Sequence, residues 1–190
     1  MPPTHLLDRP EERARLWPLS VEAYHALGDA GLIPERTELL YGFVFNKMPK
    51  SPLHSFLAER LRRIVEAMVG PGYLVRTEQP ITIGHSEPEP DIAVIKGENE
   101  DFRIAHPQTA ELVIEIAVTS GVYDRDKAAI YASAGIKEFW LVLAPQQQIE
   151  LYSEPEGGMY RSCIVFEARE EAVSSVLTGL ALTPHGLLAK

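Results

Sequence analysis

Apolar residues recur along this chain at three spacings, and each spacing predicts an element. In SFLAERLRRIVEAMV, residues 55–69, Leu57, Leu61, Ile64 and Met68 fall on one stripe with charges between them. That is an amphipathic helix, stopped by Gly70-Pro71-Gly72. A shorter helix, SVEAYHAL, is capped by Ser20 and ends near Gly28. TELLYGFVFNKM alternates weakly around Tyr41-Gly42, the pattern of a hairpin. YLVRTEQPITIG is strand-like, with Pro80 placing it at an edge or a bulge. A proline-rich approach, SEPEP, leads into a short apolar strand, Ile92 to Ile95, and residues 98–110 are polar loop. LVIEIAV and FWLVLA are apolar at consecutive positions, as strands covered on both faces are. Between them Asp124 begins a helix, DRDKAAIYASA, closed by Gly135. IELYS and MYRSCIVF flank a Glu-Gly-Gly turn, and SSVLTGLALTPHGLL adds a short strand and a last helical turn. Helices and strands interleave throughout. The expected fold is a single α/β (α+β) domain over residues 1–190, a mixed central sheet flanked by helices. Its parts are an N-terminal helix and hairpin (18–48), a core (about 52–145) and a C-terminal hairpin and tail (146–190).

Composition narrows the class. With 190 residues, 45% hydrophobic and 24% charged, the chain is an ordinary globular domain with a sizeable core. The single cysteine, Cys163, excludes an intramolecular disulfide and reads as inert core. The N-terminus, MPPTHLLDRPEERARLW, has no hydrophobic leader segment, and no apolar run approaches the roughly 18 residues of a membrane span. A soluble cytoplasmic protein is expected. The net charge of −9 speaks against bulk nucleic-acid binding, but it is unevenly spread. Residues 1–77 hold 10 basic against 9 acidic residues, and residues 78–190 hold 8 against 18. Arg60, Arg62 and Arg63 lie together in the first half. They read first as the solvated face of a helix and second as weak contacts to backbone phosphates.

Three ionisable residues stand where local rules disfavour them. Glu115 interrupts the apolar strand LVIEIAV, and an ionised group left unpaired in a dry interior costs several kcal/mol, on the order of 3–5. Asp91 follows Pro90 and directly precedes the strand IAVI. If the two strands are neighbours, the carboxylates lie side by side and need a shared proton or a hard cation such as Mg²⁺. Lys127 lies in the first turns of the following helix, on the side of Ile130, Tyr131 and Ala134. It faces the sheet from the wrong end of the helix dipole, as though a carboxylate pair or a phosphate drew it there. Each has a structural alternative: Asp91 as a turn-capping group, Glu115 as the partner of an arginine, Lys127 reaching out to water.

The order Pro-Asp, strand glutamate, helix lysine resembles the PD-(D/E)XK nuclease superfamily. The wider sequence resembles its bacterial Uma-two branch of restriction-endonuclease-like proteins. The likeness runs through TELLYG followed by His54, EQPITI, SEPEPDIAVIKG, ELVIEIAVTS, YDRDKAAIYASAGIKEFWLV and the GLALTP near the end. It implies a restriction-endonuclease-like mixed sheet, with Asp91 and Glu115 as metal ligands and Glu38 at the early acidic position. The residue two after Glu115 is Ala117 rather than lysine, and Lys127 matches a displaced lysine supplied from the adjacent helix.

The expected function is hydrolysis of phosphodiester bonds in nucleic acid, DNA above RNA, dependent on Mg²⁺ or Mn²⁺. Lys127 would orient or deprotonate the attacking water or neutralise the developing oxyanion, and Glu38 would complete the outer shell or a second metal site. The protein would act as a homo-oligomer, a dimer. Two other classes stay open. One is a catalytically silent binding or interaction module on the same fold. The other is a glycosidase using Asp91 and Glu115 as acid and base, which metal dependence would separate from a nuclease.

Overall fold

The computed structural model describes residues 11, 15–119 and 121–189. Most of the segment read as lacking a leader, and Ser120 of ELVIEIAVTS, lie outside the described residues. The order of elements is α1 (Val21–Asp29), β1 (Thr37–Leu40), β2 (Phe43–Asn46), α2 (Pro52–Met68), β3 (Tyr73–Arg76), β4 (Ile92–Lys96) and β5 (Leu112–Ala117). There follow α3 (Gly121–Asp126), α4 (Ala128–Ser133), β6 (Glu138–Leu143), β7 (Gln148–Glu156) and β8 (Met159–Phe166). The tail holds β9 (Ala172–Val173), β10 (Ala181–Leu182) and α5 (Pro184–Leu188).

Six strands form one sheet in the order β3-β4-β5-β6-β7-β8. Every neighbouring pair is antiparallel except β5–β6. That parallel pair requires a crossover, and α3 and α4 supply it. The sheet is mixed and flanked by helices, as the alternation of elements predicts. The hairpin β7–β8 continues the same sheet rather than standing apart from the core.

The two faces of the sheet carry two cores. On one, Ile92, Val94, Leu112, Ile114, Ile116, Trp140 and Val142 meet α2 through Leu57, Leu61 and Val65, and the tail through Leu180 and Leu187. On the other, Ala93, Ile95, Val113, Ala117, Phe139 and Leu141 meet Ile130, Tyr131 and Ile136. Strand alternation divides them, and at about 1.5–3 kcal/mol per buried aliphatic or aromatic side chain the two faces dominate the favourable side of folding. Glu115 shares the parity of Val113 and Ala117, so it is buried beneath α3 and α4.

Several local expectations need correction. On α2 the fully buried third position is Val65, while Met68 is 42% exposed. The stripe advances by four residues from Leu57 to Leu61 to Val65, which leaves Met68 rotated off the sheet. The helix expected to begin at Asp124 begins at Gly121 and is broken at Lys127 into α3 and α4. Strand-like YLVRTEQPITIG forms a strand only over Tyr73–Arg76, with a single isolated bridge from Ile83 to Ser86 further on. Beyond Thr77 the chain leaves the ladder, with Glu78 at φ 54° and Pro80 lacking an amide hydrogen. Cys163 is exposed, not core, because β8 is an edge strand covered on one side only.

The β1–β2 hairpin turns at Tyr41-Gly42, where both φ values are positive (53° and 78°). Gly42 is required twice over: a Cβ there would also stand 2.3 Å from Cβ of Pro18. The hairpin docks on the segment before β4. Glu87 N–H donates to the Leu39 carbonyl at 2.6 Å, and Tyr41 N–H to Ser86 Oγ at 2.8 Å. A buried Glu87, held by Thr82 and by His25 of α1, pins the same junction.

Candidate active site

The site lies where β4 begins. Pro88 and Pro90 cannot donate to a ladder, so the chain before Asp91 peels away from β5. The register pairs Ile92 with Ile114, so Asp91, one step earlier, stands opposite Glu115. Two hydrogen bonds mark the step: Ile116 N–H donates to Asp91 Oδ2 at 2.8 Å, and Asp91 N–H approaches Glu115 Oε2 at 3.4 Å. The neighbourhood of strands expected from the sequence is therefore present, and both acids are buried.

Each carboxylate is held mainly by one oxygen. Asp91 Oδ2 takes the Ile116 amide and Nε2 of His54, on the first turn of α2, at 3.1 Å. Glu115 Oε1 takes the Tyr131 hydroxyl at 2.6 Å and the Lys127 ammonium at 3.1 Å. Among the described residues, Asp91 Oδ1 meets only Lys50 Nζ, and Glu115 Oε2 only the Asp91 amide, both at 3.4 Å. The two lightly held oxygens belong to a pair of hard carboxylates. That donor set suits a divalent cation of the Mg²⁺ type, which takes one or two carboxylates and fills its remaining positions with water and substrate oxygens. No cluster of three or more His, Cys, Asp or Glu residues arranged for a metal exists among the described residues, so a closed zinc-type cage does not fit.

Lys127 completes the site. The break between α3 and α4 falls on it: its N–H donates to the Asp124 carbonyl at 3.3 Å, and its carbonyl accepts from Tyr131 N–H at 3.0 Å. Its ammonium lies 3.1 Å from Glu38 Oε1, 3.1 Å from Glu115 Oε1 and 3.9 Å from Asp124 Oδ1. Glu38, brought in by the buried strand β1, also accepts from the Tyr123 hydroxyl at 2.7 Å. Its contacts make it the holder of Lys127. Ala117, two residues after Glu115, is 2% exposed and packs beneath the start of α3, where a Cβ on Gly121 would be 3.9 Å away.

The electrostatics follow from burial. Glu115 is pushed up to about 8 by burial; Lys127 pulls it down, and Asp91, Asp124 and Glu38 push it up further. Asp91 is pushed up by burial yet ends below the usual range, because the His54 hydrogen bond and the nearby cations favour its charged form. Lys127 would lose its proton readily on burial alone, but Glu115, Glu38 and Asp124 hold it well above the usual lysine range. A lysine held charged in this way is poorly suited to accept a proton.

The arginines are engaged within the chain. Arg62 and Arg63 pair with Glu59, and Arg62 also with Glu66. Arg60 donates to the carbonyls of Leu187 and Ala189 at the end of α5. The lysines that line the cavity with Asp91 and Glu115 are Lys47, Lys50 and Lys127, and His54 lines it beside them. Reasoning from sequence missed Tyr131, although its spacing of four from Lys127 put it on the same helical face. It also missed Tyr123 and Lys50, for which no spacing rule gives a signal.

A model of the Uma2 family, whose description is "Putative restriction endonuclease", matches residues 21–185. The chain belongs to that family. The match to Uma2 spans every element from α1 to the start of α5, so the whole site lies within it. The fold is similar to the crystal structure of a putative nuclease belonging to DUF820 from Anabaena variabilis ATCC 29413, at a TM-score of 0.70 and 22% identity, over 85% of this chain and 96% of that one. None of the curated proteins matches this Uma2 chain.

Proposed function

We propose that the protein is a metal-dependent nuclease that hydrolyses phosphodiester bonds in nucleic acid, DNA in the first instance, with Mg²⁺ or Mn²⁺ held by Asp91 and Glu115. The observation that carries this reading is the placement of Asp91 opposite Glu115, each with one lightly held oxygen, and of Lys127 at 3.1 Å from Glu115 in the same cavity. When bound, the ion supplies a Lewis acid for the phosphoryl oxygen and makes a water more acidic.

The residues of the chain do the rest. His54 and the Ile116 amide fix Asp91, and Tyr131 fixes Glu115, so both present their remaining oxygens in set directions. Lys127 stays protonated and offers its charge to the negative charge that grows on the phosphoryl group. The base role considered from the sequence is the less supported of its two roles. Glu38 and Tyr123 hold Lys127 in place. The cavity, about 120 Å³, has room for an ion and a phosphoryl group.

The net charge of −9 and the arginines neutralised on α2 favour a second reading, a catalytically silent binding or interaction module on the same fold. Cytoplasmic action as a homodimer belongs to the proposal. The deciding experiment incubates purified protein and Asp91→Ala with plasmid DNA and single-stranded RNA in Mg²⁺, Mn²⁺ or EDTA. Cleavage by the parent that disappears in EDTA and in Asp91→Ala supports the nuclease. Equal products from parent and variant would refute it, and binding without cleavage would select the second reading.

A further inference from the structure

Lys50 occupies a position that its own surroundings disfavour. It directly precedes Ser51, the cap of the 17-residue helix α2, so it sits at the positive end of a long helix dipole. Its side chain is nonetheless only 24% exposed and lines the cavity of Asp91, Glu115 and Lys127. Its Nζ lies 2.5 Å from Glu78 Oε1 and 3.4 Å from Asp91 Oδ1. Asp91 Oδ1 is the oxygen that His54 and the Ile116 amide leave open. Glu78 is 49% exposed, and an ion pair to so open a carboxylate holds a lysine weakly. An ammonium and a hard dication compete for the same carboxylate oxygen. Lys47 lines the same cavity, paired with Glu89.

We propose that Lys50 is the resident counter-cation of Asp91 when no divalent ion is bound, and the phosphate-contacting residue of the site once an ion displaces it. The inference rests on the nuclease reading and adds to it the group that meets the nucleic-acid backbone at the mouth of the site. Displacement leaves the ammonium tethered by Glu78 at the cavity rim, beside a helix N-terminus that also favours an anion. The same event that loads the carboxylates thereby turns a positive charge from protein to substrate. It assigns to the β2–α2 linker the backbone contact first sought in the arginines of α2.

The test compares Lys50→Gln with the parent in two binding measurements. Calorimetric titration with Mn²⁺ should show the variant binding ~3- to 10-fold tighter, since a competing cation is gone. Anisotropy with a fluorescein-labelled DNA duplex in Ca²⁺ should show weaker binding by the variant and a slope of log K against log salt shallower by ~1. Mn²⁺ affinity unchanged or lowered in the variant, or an unchanged DNA slope, would overturn the inference while the nuclease reading stands. A parent that binds neither Mn²⁺ nor DNA would bring down the nuclease reading itself, and this inference with it. Matching thermal melts of the two proteins in EDTA exclude misfolding as the cause of a difference.

Discussion

The Lys127 ammonium lies 3.1 Å from the Glu115 carboxylate, with side chains only 5% and 4% exposed. One buried cation thus serves several buried anions, since Glu38 and Asp124 also face it. Removing it strands them. In Lys127→Ala, cleavage should fall by about 10²–10³-fold, the usual effect of deleting a donor aimed at developing charge. The fold should lose about 3 kcal/mol near neutral pH, as broken buried pairs do. Mn²⁺ binding should survive, because Asp91 and Glu115 remain. Cleavage assays, urea melts and calorimetry check the three parts, and full activity in the variant would refute the role given to Lys127.

Tyr131 donates to Glu115 at 2.6 Å from a fully buried ring. In Tyr131→Phe the carboxylate loses its shortest donor and the ring stays in place. Stability should fall by about 1–3 kcal/mol, more at alkaline than at acid pH, because a hydrogen bond to the ionised carboxylate is the stronger one. Urea denaturation at both pH values measures the difference; an equal loss at both would mean that the hydroxyl does not act through the charge of Glu115.

Glu138 offers a control. It is 1% exposed and has no ion-pair partner among the described residues, yet it accepts from Trp140 Nε1, the Ser174 hydroxyl, and the Ser175 amide and hydroxyl, at 2.6–3.0 Å. All four donors approach a carboxylate that ties the tail to β6. In Glu138→Gln the side-chain amide meets donors with a donor, and about 1–3 kcal/mol should be lost. Metal should not alter that loss. A thermal melt with and without Mn²⁺ reads both.

The contrast between these glutamates shows what was legible in the sequence. Both interrupt or open apolar strands, and composition alone does not separate them. Glu115 stood out because Asp91 and Lys127 fell in a suggestive order around it. The mixed sheet was legible because LVIEIAV and FWLVLA are too uniformly apolar for anything but covered strands. Tyr131, His54 and Lys50 were not, because their roles depend on the register of β4 against β5 and on where Pro88 and Pro90 part the chain. Val65 displaced Met68 on α2 for a similar reason: a stripe read at helical spacing leaves its last member undecided until the partner surface is known. Cys163 was misread because apolar neighbours do not reveal that a strand lies at a sheet edge.

The last prediction concerns the pH dependence of the metal-free protein. The folded-state value for Glu115 is raised from 4.5 to about 8, by burial and by neighbouring acids that outweigh Lys127. A carboxylate raised in the folded state binds its proton more tightly there than in the unfolded chain. Its penalty is absent below the unfolded value, grows as pH rises through the window between the two, and is constant above the folded value. Each pH unit in that window removes up to about 1.4 kcal/mol. Asp91 is shifted the other way, so its contribution is lost only in acid, below this window, and the raised Lys127 matters only above it. In EDTA the parent should therefore melt at lower temperature as the pH rises from about 5 to about 8. Glu115→Gln keeps an acceptor for Tyr131 and carries no charge to bury, so its melting temperature should vary less over the same range and exceed that of the parent at the alkaline end. Mn²⁺ should raise the melting temperature of the parent by mass action and barely move the variant. The opposite order at about pH 8, with the variant melting below the parent and the parent indifferent to Mn²⁺, would mean that the charge of Glu115 exists to hold Lys127 and not to hold a metal.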